Sequence, residues 1–194
     1  MKRLLYLLLF LLMVSCSIRP NWKVNLEAAR SNYLNALLSC DFDQALKYLP
    51  DTVFTVISRD DFRKALQDAT ETEGTKFNFV SLDATIMGAP ERMAGITYVQ
   101  MTQSGVSNIV CTQRSDQTYE EFVDSYDQLV ATMSALPDTE VRQQKDFTLR
   151  VTNTVVMYGI SENGVSDWRF ITLEEENRFL MEPFLPSEII DRHF

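Results

Sequence analysis

The apolar spacing of the chain changes from helical to extended near residue 75, and this change constrains the fold more than any other feature. Before it, NLEAARSNYLNALLSC carries apolar residues every three or four positions, which predicts an amphipathic helix with Asn25 as its N-cap. DFDQALKYLP predicts a short second helix that stops at Pro50. TVFTVI is too short to assign beyond a loop or brief helix, and SRDDFRKALQDA predicts a third helix capped by Ser58.

The segments after residue 75 have the composition and spacing of β-strands. In KFNFVSLDATIM the two phenylalanines lie in the opposite phase to the alternating aliphatic residues that begin at Val80, and such a slip predicts a β-bulge that bends the sheet. MAGITYVQMT and GVSNIVCTQR predict two further strands on either side of Ser104 and Gly105. DFTLRVTNTVVMYGI and SENGVSDWRFITL predict the last two, with Asn163-Gly164 as a hairpin signal.

One strongly periodic helix interrupts these strands. TYEEFVDSYDQLVATMSALP has apolar residues at alternating spacings of three and four, a Thr118–Glu121 capping box, and Pro137 as its end. Its apolar stripe is expected to pack on the protein's own sheet, and a partner-helix or lipid-binding face is the alternative. A polar linker follows the helix, and the chain ends in a tail with one or two helical turns, the last starting at Pro186-Ser187.

This order of elements predicts an α+β fold in which N-terminal helices pack on a curved antiparallel sheet. The helices, the bent sheet and a long hairpin closing on Trp168-Arg169-Phe170 resemble the NTF2-like (cystatin-like) superfamily, with an extra helix inserted around 118–136. The resemblance covers about residues 25 to 190 and implies a cone with an internal cavity. YLPDTVFTVISRDDFRKAL together with WRFI and LMEPFLPSEII is also similar to uncharacterised envelope proteins of Gram-negative bacteria. Fold likeness does not by itself transfer function.

The first 16 residues have the organisation of an export signal. Lys2 and Arg3 precede an apolar run of eleven residues, which as a helix would reach only about 16 Å. A bilayer core of about 30 Å needs about 20 residues, so this run is too short to span it. The order of a basic and then an apolar region is typical of a secretory signal.

The boundary of that signal resembles a bacterial lipobox. Met13-Val14-Ser15-Cys16 has the small residue before cysteine, although Leu12 lies one position earlier than the usual leucine. The resemblance implies a signal peptide over residues 1–15, acylation of Cys16, and a tether over 16–24 before a single domain at 25–194. Several acyl chains on Cys16 would hold the protein stably on a membrane. An ordinary signal peptide with a coincidental cysteine is the alternative.

The residue after Cys16 bears on the destination of such a lipoprotein. In the Gram-negative sorting pattern an aspartate at that position retains the protein at the inner membrane, and this chain has Ser17. No acidic cluster follows the cysteine. The expected location is therefore the cell envelope, at the outer membrane and facing the periplasm.

The charge of the chain restricts its partners. Without residues 1–15 it has 16 basic and 27 acidic residues, a net charge of −11. Duplex binding requires a cationic face, so nucleic acid is excluded as an expected partner. The expected partners are the membrane, through the N-terminal lipid, and an envelope protein or a small-molecule ligand.

Cysteine and histidine usage argues against metal and cofactor sites. Cys40 and Cys111 are expected as buried free thiols, and one disulfide between them is the alternative in an oxidising envelope. There is no CxxC pair, and His193 is the only histidine. The six glycines are scattered, so no phosphate-binding loop is predicted. We therefore expect no metal and no cofactor.

No catalytic residue is predicted. Asp83 and Asp167, the aspartates that an NTF2-like isomerase or dehydratase could use as a base, are expected to face solvent. Tyr98, Tyr158 and Trp168 are candidates to line a ligand pocket, because their rings combine apolar area with a polar group. Residues buried in the core are the alternative reading of these three.

Two functions remain open at this point. The first is a lipid-anchored, non-catalytic envelope domain that binds a partner protein or a small ligand. The second is an NTF2-like enzyme of the isomerase, dehydratase or hydrolase type, acting on a small apolar molecule in the cone.

Overall fold

The computed structural model describes residues 21–174, 178–182 and 185–194. The predicted signal peptide and Cys16 lie outside the described residues. The helices are α1 (Trp22–Leu38), α2 (Phe42–Ala45), α3 (Arg59–Thr70), α4 (Tyr119–Ala135), α5 (Arg178–Met181) and α6 (Ser187–Ile190), with 3₁₀ turns at Leu46–Tyr48 and Asp51–Thr55. The strands are β1 (Glu71–Thr72), β2 (Thr75–Ile86), β3 (Glu91–Met93), β4 (Ile96–Cys111), β5 (Thr139–Gln143), β6 (Thr148–Ser161) and β7 (Arg169–Leu173).

Two helices, α3 and α4, begin directly after the capping residues that the sequence predicts. The Thr118–Glu121 capping box of α4 is present, and the Ser58 side chain accepts a hydrogen bond from the Asp61 N–H at the start of α3. The prediction of Asn25 as the cap of α1 is wrong, because Asn21 caps it and residues 22–24 of the expected tether are helical. Asn25 instead donates from Nδ2 to the Val165 carbonyl, 2.9 Å away, in the loop between β6 and β7.

The strands form one antiparallel, curved sheet behind the N-terminal helices, consistent with a cone-like fold. Its main order is β1-β2-β4-β6-β5, with β3 paired to β4 and β7 paired to β6. The predicted hairpin at Asn163-Gly164 is confirmed, since β6 and β7 pair antiparallel across a longer loop in which the Asn163 side chain accepts from two backbone N–H groups. The predicted α+β class with a curved antiparallel sheet is confirmed.

The predicted bulge lies in β2. Its pairing with β4 shifts between Phe79 and Ser81, and Val80 is left exposed at the irregularity. The extra residue brings Phe77 and Phe79 onto the same face of the sheet as the aliphatic residues after the bulge, although the two sets lie in opposite phases of the sequence.

Strand β4 is continuous where the sequence predicted two strands. It runs without interruption from Ile96 to Cys111, and Gly105 within it pairs with Leu82 on one side and Asn153 on the other. Ser104 and Gly105 therefore do not form a turn. The tight turn lies earlier, at Ala94 and Gly95, whose positive φ values suit the connection between β3 and β4.

The predicted polar linker contains an additional strand. Thr139–Gln143 forms β5 at the sheet edge and pairs with β6 from Asn153 to Leu149. Its side chains are exposed or only half-buried, so the segment lacks the apolar alternation by which a strand is normally recognised.

The concave face of the sheet carries both long helices. Val99 and Met101 of β4 pack against α1, and Ile109 and Cys111, in the same phase of the same strand, belong to the cluster that holds α4. Phe122 and Tyr126 are the buried residues of α4 in that cluster. The stripe of α4 therefore packs on the protein's own sheet, as predicted.

The opposite face is covered at one end by the C-terminal segment. Tyr98 and Tyr158 form a cluster there with the buried residues Leu173, Met181, Leu185, Ile189 and Ile190. The predicted helical turn after Pro186 is present as α6. The segment is fixed further by Arg192, whose guanidinium donates to both oxygens of Glu91 at 2.8 Å.

Cys40 and Cys111 are free cysteines that differ in environment. Cys111 is buried, as predicted, but the expectation of a buried Cys40 is wrong, since this residue is exposed. Cys40 has φ 53° and follows the end of α1, where its N–H bonds Leu37 O and the Asp41 N–H bonds Ala36 O. This pattern is a Schellman motif, which ends the helix and leaves the side chain in solvent.

None of the helices in the described ranges is both long and apolar enough to cross a bilayer.

Candidate functional site

The three aromatic residues predicted to line a pocket are buried and lie in two different clusters. Tyr98, Tyr158 and Trp168 are 3%, 2% and 1% exposed. Trp168 belongs to the core under α1, whereas the two tyrosines lie on the opposite face beneath the C-terminal segment. Trp168 Nε1 donates to Val165 O, and the Tyr158 hydroxyl lies 2.9 Å from His193 Nε2. Core packing therefore accounts for all three residues, and the polar groups of Trp168 and Tyr158 have hydrogen-bond partners.

A small pocket lies at the centre of the concave face, between the areas covered by α1 and α4. Its volume is about 120 Å³. Phe77, Phe79 and Leu82 of β2 form one wall, and Met133 and Leu136 at the end of α4 form another. Polar side chains also line it, namely Gln103, Ser107, Thr139 and Asn153. We call it the concave pocket.

Gly105 provides the floor of the concave pocket. A Cβ added there would lie 2.8 Å from Asn153 Oδ1 and 3.1 Å from Leu82 Cδ2. The carboxamide of Asn153 therefore lies across β4, in space that any larger residue at position 105 would occupy. A glycine within a strand commonly marks such a close approach.

The Gln103 side chain places an unpaired acceptor beside this floor. Its Oε1 is buried and has no hydrogen-bond partner. Gln103 pairs with Ala84 and Val155 on the neighbouring strands, two residues from Gly105 and on the same face. A buried carbonyl without a partner costs about 1–3 kcal/mol, so a bound N–H or O–H group would be stabilised at this atom.

The concave pocket adjoins a larger cleft at the edge of the sheet. The two share Leu136, Thr139 and Asn153, and the cleft has a volume of about 710 Å³. It lies where β6 passes from its pairing with β5 to its pairing with β7. Asp138, Glu174 and His193 are its titratable lining side chains among the described residues. We call it the edge cleft.

A third depression lies at the β6–β7 loop, on the side of the 3₁₀ turn at Asp51–Thr55. Its volume is about 510 Å³, and Asp51, Glu162 and Asp167 line it with Arg169 as the cation. Within the part of the chain that the structure describes, no group of three or more His, Cys, Asp or Glu residues could hold a metal ion. Exposed carboxylates alone do not indicate a binding site.

The groups with shifted pKa values lie away from the concave pocket. Burial raises the pKa of Tyr33 under α1 to about 12. Burial also raises the pKa of the Cys111 thiol and lowers that of His193, to which the Arg192 charge contributes. None of the described residues lining the concave pocket is acidic, basic or a cysteine. Asp83 and Asp167 are exposed, as predicted.

The arrangement suits hydrogen bonding and apolar contact more than proton transfer. Sequence reasoning missed Gln103 and Asn153, because lone carboxamides in strands carry no motif. One feature could have indicated them. Gly105 lies inside a strand pattern, where a glycine can mark a close approach, but the sequence analysis placed a break between two strands there.

The fold and site together define an α+β protein whose curved sheet holds a small, uncharged pocket between two helices. No protein-family model matches the sequence, and no curated protein matches it either.

Proposed function

We propose that this protein is a lipid-anchored, non-catalytic domain of the bacterial cell envelope that binds a partner protein or a small ligand in the concave pocket. The observation that carries the binding role is the buried, unpaired Gln103 Oε1 beside the glycine floor. An acceptor in that position is satisfied by a bound donor, and the adjacent phenylalanines supply apolar contact area.

The anchor rests on the sequence around Cys16. Four residues, 17–20, separate that cysteine from the first described residue, Asn21. An acylated Cys16 would hold the domain close to the bilayer surface, and the net charge of −11 for the mature chain disfavours contact with anionic headgroups. The NTF2-like assignment belongs to this proposal as well, and the helix-backed curved sheet supports it.

A binding role is favoured over catalysis by the character of the pocket lining. General acid–base chemistry needs a titratable group within hydrogen-bond reach of the substrate. The described groups around the concave pocket are carboxamides, hydroxyls and apolar side chains. No specific observation favours the NTF2-like enzyme.

Metabolic labelling tests the anchor. Cells producing the protein are grown with labelled palmitate, with and without globomycin. We expect label in the wild type, precursor accumulation with globomycin, and no label in Cys16→Ala. Cys40→Ala is the matched control and should incorporate label normally. Label retained in Cys16→Ala would contradict the anchor.

Fractionation on a sucrose gradient tests the membrane. The proposal places the wild type with the outer membrane, and Ser17→Asp should move the protein to the inner-membrane fraction. Ser17→Thr is the control. Wild-type protein in the inner-membrane fraction would contradict the outer-membrane location. The proposal that Cys16 is acylated would still stand.

A further inference from the structure

The size of the concave pocket restricts what can enter it. At about 30 Å³ for each water molecule, 120 Å³ corresponds to about four waters, or one aliphatic side chain. Pockets for whole drug-sized ligands have about 300–1,000 Å³, a range that the edge cleft reaches at about 710 Å³. The pocket is therefore the size of a single side chain, whereas the adjoining cleft has room for a longer group.

The polar groups around the pocket match a peptide backbone. Gln103 Oε1 accepts, and the carboxamide of Asn153 beside the glycine floor can both donate and accept. A backbone amide presents the complementary pair, one N–H and one C=O, next to its side chain. The apolar wall formed by Phe77, Phe79 and Leu82 then faces the side chain itself.

The charges around the opening indicate the sign of the partner. The edge cleft has Asp138 and Glu174 among its lining residues and no lysine or arginine among those described. The exposed face of α4, whose last residues border the pocket, adds Glu120, Asp124 and Asp127, and that helix has no basic residue. A negative potential of this kind attracts basic segments and disfavours acidic ones.

We propose that the concave pocket receives one aliphatic side chain from an extended segment of a partner protein. The backbone N–H of that residue donates to Gln103 Oε1, and flanking basic residues lie in the edge cleft near Asp138. This inference rests on the proposed binding role of the pocket and does not depend on the lipid anchor.

Three capped tripeptides and one small amide test the inference. The probes are acetyl-Lys-Leu-Lys-amide, acetyl-Lys-Gly-Lys-amide, acetyl-Glu-Leu-Glu-amide and isobutyramide. Each is titrated into the full mature protein in mild detergent, which suits an acylated or an unacylated chain, and the methyl resonances of Leu82, Met133 and Val151 report on the pocket. We expect the first peptide to shift these resonances and to bind at least tenfold more tightly than the other three probes.

Two variants test whether the peptide binds in the concave pocket. Gln103→Leu keeps a similar size and removes the acceptor, so the peptide N–H would lose its partner and binding should weaken about tenfold. Gly105→Ala places a methyl group on the floor and should weaken binding further. Gln100→Leu, on the opposite face of β4, is the matched control and should bind the peptide as the wild type does. The methyl spectrum of each variant also shows whether that variant is folded.

The other outcomes separate the inference from the proposed function. If isobutyramide binds as tightly as the first peptide, the pocket takes a small ligand, so the inference fails and the binding role stands. Tightest binding of the glutamate peptide overturns the inference in the same way. If no probe shifts the pocket resonances, both the inference and the proposed binding site are wrong.

Discussion

Leu26 of α1 lies directly over Gly159 of β6. A Cβ built on Gly159 would lie 2.9 Å from Leu26 Cδ1 and 3.1 Å from Met101 Cε. Leu26 and Met101 are completely buried. The absence of a side chain at position 159 therefore lets α1 approach the sheet closely and close the concave face at this end.

Gly159→Ala should destabilise the protein by about 1–3 kcal/mol, because a methyl group would be forced into a filled core. Gly88→Ala is the matched control, since nothing lies within 4 Å of a Cβ there, and it should change stability by less than about 0.5 kcal/mol. Urea unfolding of the two variants measures the difference. Equal unfolding midpoints would show that α1 does not rest on Gly159.

Cys40 is a second position where the backbone predicts the effect of a substitution. Its φ of 53° is left-handed, a conformation that costs a residue with a Cβ about 1–2 kcal/mol. Cys40→Gly removes that conformational cost, but glycine also gives the unfolded chain more freedom, which offsets part of the gain. We therefore expect a net stabilisation of about 0.5–1 kcal/mol. Cys40→Ala keeps the Cβ and should be close to neutral. If both variants were equally stable, the Schellman geometry at the end of α1 would be wrong.

The capping box of α4 gives a third prediction. Thr118→Ala removes the side-chain acceptor for the Glu121 N–H and should cost about 1 kcal/mol. Thr132, exposed on the same helix, bonds only the Gln128 carbonyl, so Thr132→Ala should be neutral or slightly stabilising. Thermal unfolding of both variants provides the comparison. A Thr118→Ala protein as stable as its control would argue against the cap.

His193 should make stability depend on pH. Burial, with the Arg192 charge as a second cause, lowers its pKa in the folded protein below the unfolded value of about 6.5. The unfolded chain therefore takes up a proton more readily than the folded protein. With respect to this histidine, the free energy of unfolding is highest above about pH 6.5 and decreases as the pH falls below that value. The hydrogen bond from Arg192 lowers the pKa of the neighbouring Glu91, which therefore titrates at more acidic pH.

Urea unfolding at pH 7.5 and pH 5.5 isolates the histidine. The wild type should lose more stability between these values than His193→Gln, which keeps a polar group opposite the Tyr158 hydroxyl. The same loss of stability in both proteins would show that His193 is not responsible.

The parts of the fold that were predictable from sequence are those with local causes. Thr118 and Ser58 mark helix starts through bonds to nearby N–H groups. The bulge at Val80 was visible because a strand has a strict period of two. By contrast, Gly105 was read as a turn, since nothing local distinguishes a turn glycine from one over which a distant Asn153 packs.

The candidate site depends on relations that sequence does not display. Gln103 and Asn153 line the same pocket because β4 pairs with β6 in one particular register. Tyr98 and Tyr158 were chosen for their chemistry, but burial is decided by which face of the sheet the C-terminal segment covers. The covering residues, from Met181 to Ile190, lie 23 to 32 positions further along the chain than Tyr158.

The proposed membrane location depends on lipid attachment at Cys16. Mass spectrometry of the N-terminal peptide of the mature protein, isolated from the envelope, tests this claim most directly. We expect a peptide that begins at Cys16 and has the added mass of a glyceryl group with its acyl chains. A mature protein that begins at another residue, or at an unmodified Cys16, would contradict it.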